Sequence, residues 1–342
     1  MPESRVLRSD KVASGAKRNG WLHFFAVVTA VTTFCLIFVG GLVTSHDAGL
    51  SVPDWPSTYG QFMLSFPYSK WVGNIFYEHS HRVMATAVGF MITVQAIWLQ
   101  FSEERNWVKL MGWLALVGVI AQGVLGGLTV IFFLPPAISS AHASLAQMVF
   151  CLALSIALVT SRKWVDDLPK SQESHGSHIR VLGVISVGAI FLQLMIGAVM
   201  RHTSSGLAIP TFPLAFGKVI PDFTSFGIAI NFAHRVGALT VATLVIITVT
   251  DVFRHYRTKS LRRPAAFAIV LLITQISLGA IAILTSKAVT PTTLHVSGGA
   301  ALLGTMLVLT IRTRHLFSPA SKAVEATSSA RSVVSDPALG KI

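Results

Sequence analysis

Apolar residues run along this chain in eight long blocks, separated by shorter polar stretches. The blocks cover roughly 21–44, 79–100, 110–131, 138–161, 181–200, 228–250, 265–286 and 291–311. At a rise of 1.5 Å per residue, each block is long enough as a helix to cross about 30 Å of hydrocarbon. Pro135, Pro136 and Pro291 sit at or just before block starts, where a missing backbone N–H does no harm. The pattern predicts an all-α membrane protein with eight transmembrane helices.

The blocks repeat. Gly49-Leu50-Ser51-Val52-Pro53-Asp54-Trp55-Pro56 matches Gly206-Leu207-Ala208-Ile209-Pro210-Thr211-Phe212-Pro213 at an offset of 157. Gly40 pairs with Gly197, and Tyr59-Gly60 with Phe216-Gly217, at the same offset. Beyond a four-residue length change the offset is 153, which pairs His81-Arg82 with His234-Arg235, Gln122 with Gln275, Gly126 with Gly279 and His142 with His295. Four helices return the chain to its starting side, so two four-helix bundles in the same orientation are expected. A pseudo-two-fold axis along the membrane normal would relate them. The expected organisation is a basic tail over 1–20, a first half over 21–161, a linker over 162–180, a second half over 181–312 and a disordered tail over 313–342.

Composition agrees with this and removes other classes. Of the 342 residues, 52% are hydrophobic and 12% charged, too much apolar surface for a soluble protein of this length. The formal net charge of +13 does not signal nucleic acid, because the basic residues lie between the apolar blocks and in the tails. With the N-terminus inside, 21 Lys and Arg fall on the inner side and 6 on the outer. That asymmetry places both termini in the cytoplasm. The run from Trp21 to Thr44 is long enough to span, so it reads as a first helix and not a cleaved signal. Cys35 and Cys151 both lie inside apolar blocks, which argues against a disulfide framework.

Candidate chemistry centres on Glu78-His79-Ser80-His81-Arg82, where a membrane helix begins. Ionisable groups so close to hydrocarbon are costly and mark functional sites. The repeat filters the twelve histidines. His79 falls opposite Phe232, His46 opposite Thr203 and His202 opposite Ser45. Only His81, His142, His234 and His295 survive, as two matched pairs near the outer ends of even-numbered helices. One isolated histidine of this kind is usually a hydrogen-bonded helix-end residue; duplication at both positions argues for ligation. Two facing imidazoles in a helix bundle suit heme iron, whereas bare zinc or copper needs further ligands.

Arg82 and Arg235 follow the repeated histidines and suit a carboxylate fork such as a heme propionate; the alternative is an arginine that anchors the helix end. At the position of Glu78 the second half has Asn231. Glu78 shares a helix face with His81 and can stabilise a cation, take a proton or orient water. Its structural alternative is a helix cap or a partner for Arg82. One half therefore looks reactive and the other looks like a permanent cofactor site. The repeated glycines allow close helix contact or room for a macrocycle. Gln122 and Gln275 are expected to bond between helices. Trp55, Tyr59 and Trp71 are expected as interfacial anchors or a partial lid.

These motifs resemble the heme A synthases of bacterial membranes and mitochondria. Glu-x-x-His-Arg at Glu78, His81 and Arg82 carries the resemblance, with His234-Arg235, His142 in Ala-His-Ala-Ser, His295 in Leu-His-Val-Ser and the Gly-Leu-Ser-Val-Pro-Asp-Trp-Pro loop. It spans about residues 21 to 312. The resemblance implies an oxidoreductase with heme b as cofactor on His234 and His295, and heme o as substrate on His81 and His142. It implies oxidation of the C8 methyl of heme o to a formyl group by successive hydroxylation, for cytochrome oxidase heme a supply, with Glu78 as the catalytic carboxylate. Expected partners are heme o, the heme o synthase, an electron-transfer protein and membrane lipid, with no nucleic acid; a homo-oligomer stays open. The expected location is the cell (inner or plasma) membrane, with heme sites toward the outer face. Some bacterial members carry an outer-loop cysteine pair that this chain lacks. The competing expectation is a non-enzymatic di-heme b cytochrome that relays electrons, with two equivalent sites.

Overall fold

The computed structural model describes residues 19–162, 164 and 176–317. Residues 1–18 of the basic tail, 163 and 165–175 of the expected linker, and 318–342 of the last tail lie outside the described residues. Eight long helices carry the fold: α1 Gly20–Ser45, α2 Gly73–Ser102, α3 Asn106–Ile131, α4 Pro136–Val159, α5 Gly176–His202, α6 Phe226–His255, α7 Lys259–Leu284 and α8 Val289–Leu316. Each is long and apolar enough to cross a bilayer. Among the described residues there is no β-sheet, only two isolated bridges in the loops. The chain is an eight-span, all-α, multi-pass membrane protein.

Local chemistry sets the helix starts. The Asn19 side chain accepts the Leu22 N–H at 3.1 Å and opens α1, Pro136 supplies the first residue of α4, and Ser225 caps α6 through the Ile228 N–H. Two helices begin six residues earlier than the apolar blocks suggest. α2 starts at Gly73, six residues before the expected 79, so Glu78 and His81 lie in its second and third turns. α7 starts at Lys259 and runs through Pro264. A proline there leaves the Ser260 carbonyl without its intrahelical donor. Arg312 of α8 supplies one, from Nη1 at 2.9 Å.

The helices pack as two rings. α1, α2, α3 and α4 meet in cyclic order, and so do α5, α6, α7 and α8. Each ring has its own apolar core, around Ile92, Leu99 and Ile156 in the first and Val245, Leu303 and Met306 in the second. Between the rings, α1 meets α8, α4 meets α5, and α4 meets α8. The first two contacts are repeat mates of one another, and the third lies on the axis relating them. There Ile37, Phe150 and Ala300 form a small shared core. A β-carbon on Gly304 would stand 2.9 Å from Leu154 and 3.0 Å from Phe150, so glycine lets α4 and α8 touch.

Candidate functional site

Four histidines line the two rings at one end, and each rests on a glycine of the preceding helix. An added β-carbon would approach the ring Cε1 to 3.1 Å for Gly40 with His81, 3.1 Å for Gly126 with His142, 3.0 Å for Gly197 with His234 and 3.0 Å for Gly279 with His295. These four pairs obey the repeat. The glycines therefore have an assigned use, which is to seat the imidazoles.

In the second ring the His234 and His295 centroids lie 6.3 Å apart with planes 71° to each other. Two metal–nitrogen bonds of about 2 Å each would fill about 4 Å of this span, leaving about 1 Å per ring from nitrogen to centre. Both rings are held from behind. Gln193 Nε2 lies 3.0 Å from His234 Nδ1 and donates to the His234 carbonyl at 2.7 Å. His295 Nδ1 stands 3.1 Å from the Gln275 carbonyl, a contact that leaves Nε2 for a metal. In the first ring Gln122 Nε2 donates to the His142 carbonyl at 2.9 Å and lies 3.4 Å from its Nε2. Gln122 thus bonds between helices as expected, whereas Gln275 does so through its backbone. His81 Nδ1 and His142 Nδ1 are buried with no partner among the described residues. The facing pair of the second ring and the orphaned imidazole nitrogens of the first fit a porphyrin iron, which needs only two axial ligands from protein.

A loop closes each ring at this end and hangs on the residues that follow the histidine motif. Arg82 Nη1 donates to the carbonyls of Asp54 (2.6 Å) and Ser57 (3.1 Å), and its Nη2 to Val52 (2.7 Å) and to Glu78. Arg235 does likewise with Ile209 and Thr211, both at 2.8 Å, and with Asn231 at 3.1 Å. The propionate contact expected for both arginines gains no support from this geometry; the guanidiniums clamp loop carbonyls. Each loop tip is a two-residue turn with both central φ positive, Tyr59 and Gly60 at 49° and 72°, Phe216 and Gly217 at 53° and 79°. Asp54 receives the N–H of Tyr59 at 2.7 Å and of Gly60 at 2.9 Å.

Glu78 and Asn231 differ in polarity at matched places. Glu78, 3% exposed, accepts the Val52 N–H at 2.7 Å and pairs with Arg82. Asn231, also 3% exposed, donates to the Ser205 and Gly206 carbonyls at 3.0 Å each. Both caps hold the loop, and only one brings a charge to the pocket rim.

The first loop is also the more elaborate. Fully buried His79 contacts Thr58 at 3.3 Å and packs between Phe66 and Trp71, with Nε2 unpartnered among the described residues. It serves the loop and not the histidine pair. Trp55 lies so close to Gly127 that a β-carbon there would reach 2.5 Å from the indole. Residue 127 follows the glycine that seats His142, so the indole lies beside the first pocket. The matching residues of the second half are Phe212 and Ala280.

Two site-bordering residues escape a filter that keeps only duplicated residues. Gln193 answers to Leu36 in the first half, and Arg201 to Thr44. The available signal was an unmatched amide inside an apolar block for Gln193, and an unmatched arginine at the end of that block for Arg201.

Comparison with known proteins follows the same residues. A family model described as cytochrome oxidase assembly protein, COX15-CtaA, matches residues 23–307. The chain is 27% identical over 286 residues to a protein named heme A synthase from Shouchella clausii, covering 80% of this chain and 88% of that one. It is 28% identical over 276 residues to the heme A synthase of Halalkalibacterium halodurans, covering 78% and 88%. With that of Symbiobacterium thermophilum it shares 29% over 268 residues, covering 75% and 84%.

Proposed function

Because the chain belongs to the heme A synthase family of cytochrome oxidase assembly proteins, and so is a membrane oxidoreductase of heme A biosynthesis, we propose that it oxidises the C8 methyl of heme o to a formyl group. Heme o is the substrate of the first ring, held by His81 and His142. Heme b is the cofactor of the second, held by His234 and His295, and when bound it supplies one-electron redox chemistry.

The single observation that carries this division is the difference between Glu78 and Asn231. The Val52 N–H and the Arg82 guanidinium each hold one oxygen of Glu78, so the carboxylate is fixed one turn before His81. A fixed carboxylate there can stabilise positive charge developing at a neighbouring carbon, or take the proton that carbon releases. Asn231 can do neither, because its amide is neutral and its N–H groups are spent on the loop. A relay between two equivalent hemes has no use for that difference.

Surroundings suit the substrate. Heme o carries an isoprenoid chain, and each methylene moved out of water gains about 0.8 kcal/mol, so such a molecule resides in the bilayer. The Trp55 indole packs on Gly127, next to the glycine that seats His142, and would shield that pocket from water. The excess of basic residues on the opposite side supports a histidine end at the outer face of the cell membrane, with both termini in the cytoplasm. An electron-transfer protein would approach that outer face, and the heme o synthase would deliver substrate within the membrane.

The test is expression with a supply of heme o, followed by extraction of the hemes. The intact chain yields heme A. Glu78→Gln keeps its Soret band and yields none; normal heme A from that variant would reject the assignment of the reactive half.

A further inference from the structure

The two rings differ at a second charged position. Arg201 lies in the last turn of α5, where the matching residue of α1 is Thr44. Thr44 is satisfied within its own helix, donating to the Gly40 carbonyl at 3.2 Å. Arg201 stands one turn beyond Gly197, on the same helix face, and Gly197 is the seat of His234. Its side chain therefore leaves α5 on the face that seats His234.

Its partners place it more closely. Arg201 Nη2 donates to the Gly41 carbonyl at 3.1 Å and to Ser45 Oγ at 2.7 Å, both on α1. Ser45 also receives the Thr293 hydroxyl at 2.8 Å, from the α8 turn that carries His295. Arg201 acts electrostatically on His295, and Asp47 acts on Arg201 only through space. Among the described residues, its hydrogen bonds all run through Nη2 and none reaches a carboxylate. A partly buried guanidinium in a spanning helix with neutral acceptors alone is costly, and an anion on its remaining N–H edge removes that cost. Arg82 and Arg235, by contrast, are committed to loop carbonyls.

We propose that Arg201 binds a carboxylate of the porphyrin held by His234 and His295, and that Thr44 leaves the first pocket without such an anchor. One porphyrin is retained and the other exchanges. The proposal rests on the reading that the second ring keeps heme b.

The test uses full-length protein in lipid nanodiscs loaded with iron protoporphyrin IX or with its dimethyl ester, which lacks the charged carboxylates. Loss of porphyrin to excess apomyoglobin is followed in the Soret band, and the phase removed by His295→Ala is assigned to the second pocket. Arg201→Thr should speed loss of the diacid in that phase about ten- to a hundred-fold, the worth of a charged hydrogen bond. The ester should leave the wild type and Arg201→Thr at equal rates. Arg201→Lys should fall between, and Arg235→Gln should leave the rate ratio of ester to diacid unchanged. Equal release of diacid and ester by the wild type overturns the proposal even if Arg201→Thr does not fold. So does unchanged diacid release by Arg201→Thr. A wild type that takes up no porphyrin at all refutes the heme reading itself, a separate outcome.

Discussion

The β-position of Gly279 on α7 lies 3.0 Å from Cε1 of His295 on α8. No methyl group fits there without moving the imidazole, and the same holds for the three matched pairs. Gly279→Ala and Gly197→Ala should each lower heme retained in the second ring about tenfold or more, from overpacking worth about 1–3 kcal/mol at the ligand. Gly123→Ala and Gly188→Ala meet nothing within 4 Å and should retain normal heme. The ratio of Soret to protein absorbance after purification measures this, and normal heme in Gly279→Ala would show that the ring does not need its seat.

Arg82 makes four hydrogen bonds through two nitrogens, three of them to loop carbonyls. Each charged bond is worth about 1.5–3 kcal/mol. Arg82→Gln should therefore expose residues 47–72 to protease while leaving the helices intact. Arg82→Lys should not rescue it, because one ammonium cannot span these acceptors. Arg235→Gln should open 204–224 instead. Limited proteolysis read by mass spectrometry distinguishes the two loops.

The Asp54 carboxyl gives the first loop an acid limit. Burial pushes its pKa up, but the donors Gly60 N–H, Ser57 hydroxyl and Tyr59 N–H together outweigh that and hold it below the ordinary aspartate range. A depressed pKa stabilises the fold fully above the unfolded value, about pH 4, and this contribution is lost as pH falls through the lower folded value. Protection of the Tyr59 and Gly60 amides, corrected for intrinsic exchange, should fall across that acid window in the wild type. Asp54→Asn should show weaker protection at neutral pH and no such acid transition. An Asp54→Asn profile that tracks the wild type would remove Asp54 from the turn.

Trp55 and Gly127 should behave as a matched pair. Gly127→Ala installs the residue of the second ring and should dislodge the indole, at a cost of about 1–3 kcal/mol. Adding Trp55→Phe recreates the Phe212 and Ala280 combination and should recover most of the loss. Thermal melts of Gly127→Ala, Trp55→Phe and the double variant give the coupling directly; additive effects would mean that the indole and the glycine do not depend on one another.

Much of this architecture was legible in the residues. Eight spans follow from block length, and the paired histidines follow from the repeat, because ligation needs the same residue type at the same depth in both rings. Glu78 was visible as the carboxylate of the histidine motif that the second half replaces with Asn231. Other features depend on tertiary choices that local pattern does not encode. Nothing in a linear chain says that the loop turns its carbonyls back onto Arg82 and Arg235. Pro264 reads as a helix boundary until Arg312, from another helix, satisfies the Ser260 carbonyl. Arg201 escapes a filter built on duplication, because it stands where the rings differ.

The glycine contact between α4 and α8 has a mechanical consequence. Each of these helices bears one of the paired histidines, His142 or His295, and Gly304 lets the two pack together at Phe150 and Leu154. The two pockets thus have a common partition with no slack, and close-packed interiors transmit displacement instead of absorbing it. Filling or emptying one chamber should then bias affinity in the other, by an amount that thermodynamic reciprocity makes equal in both directions.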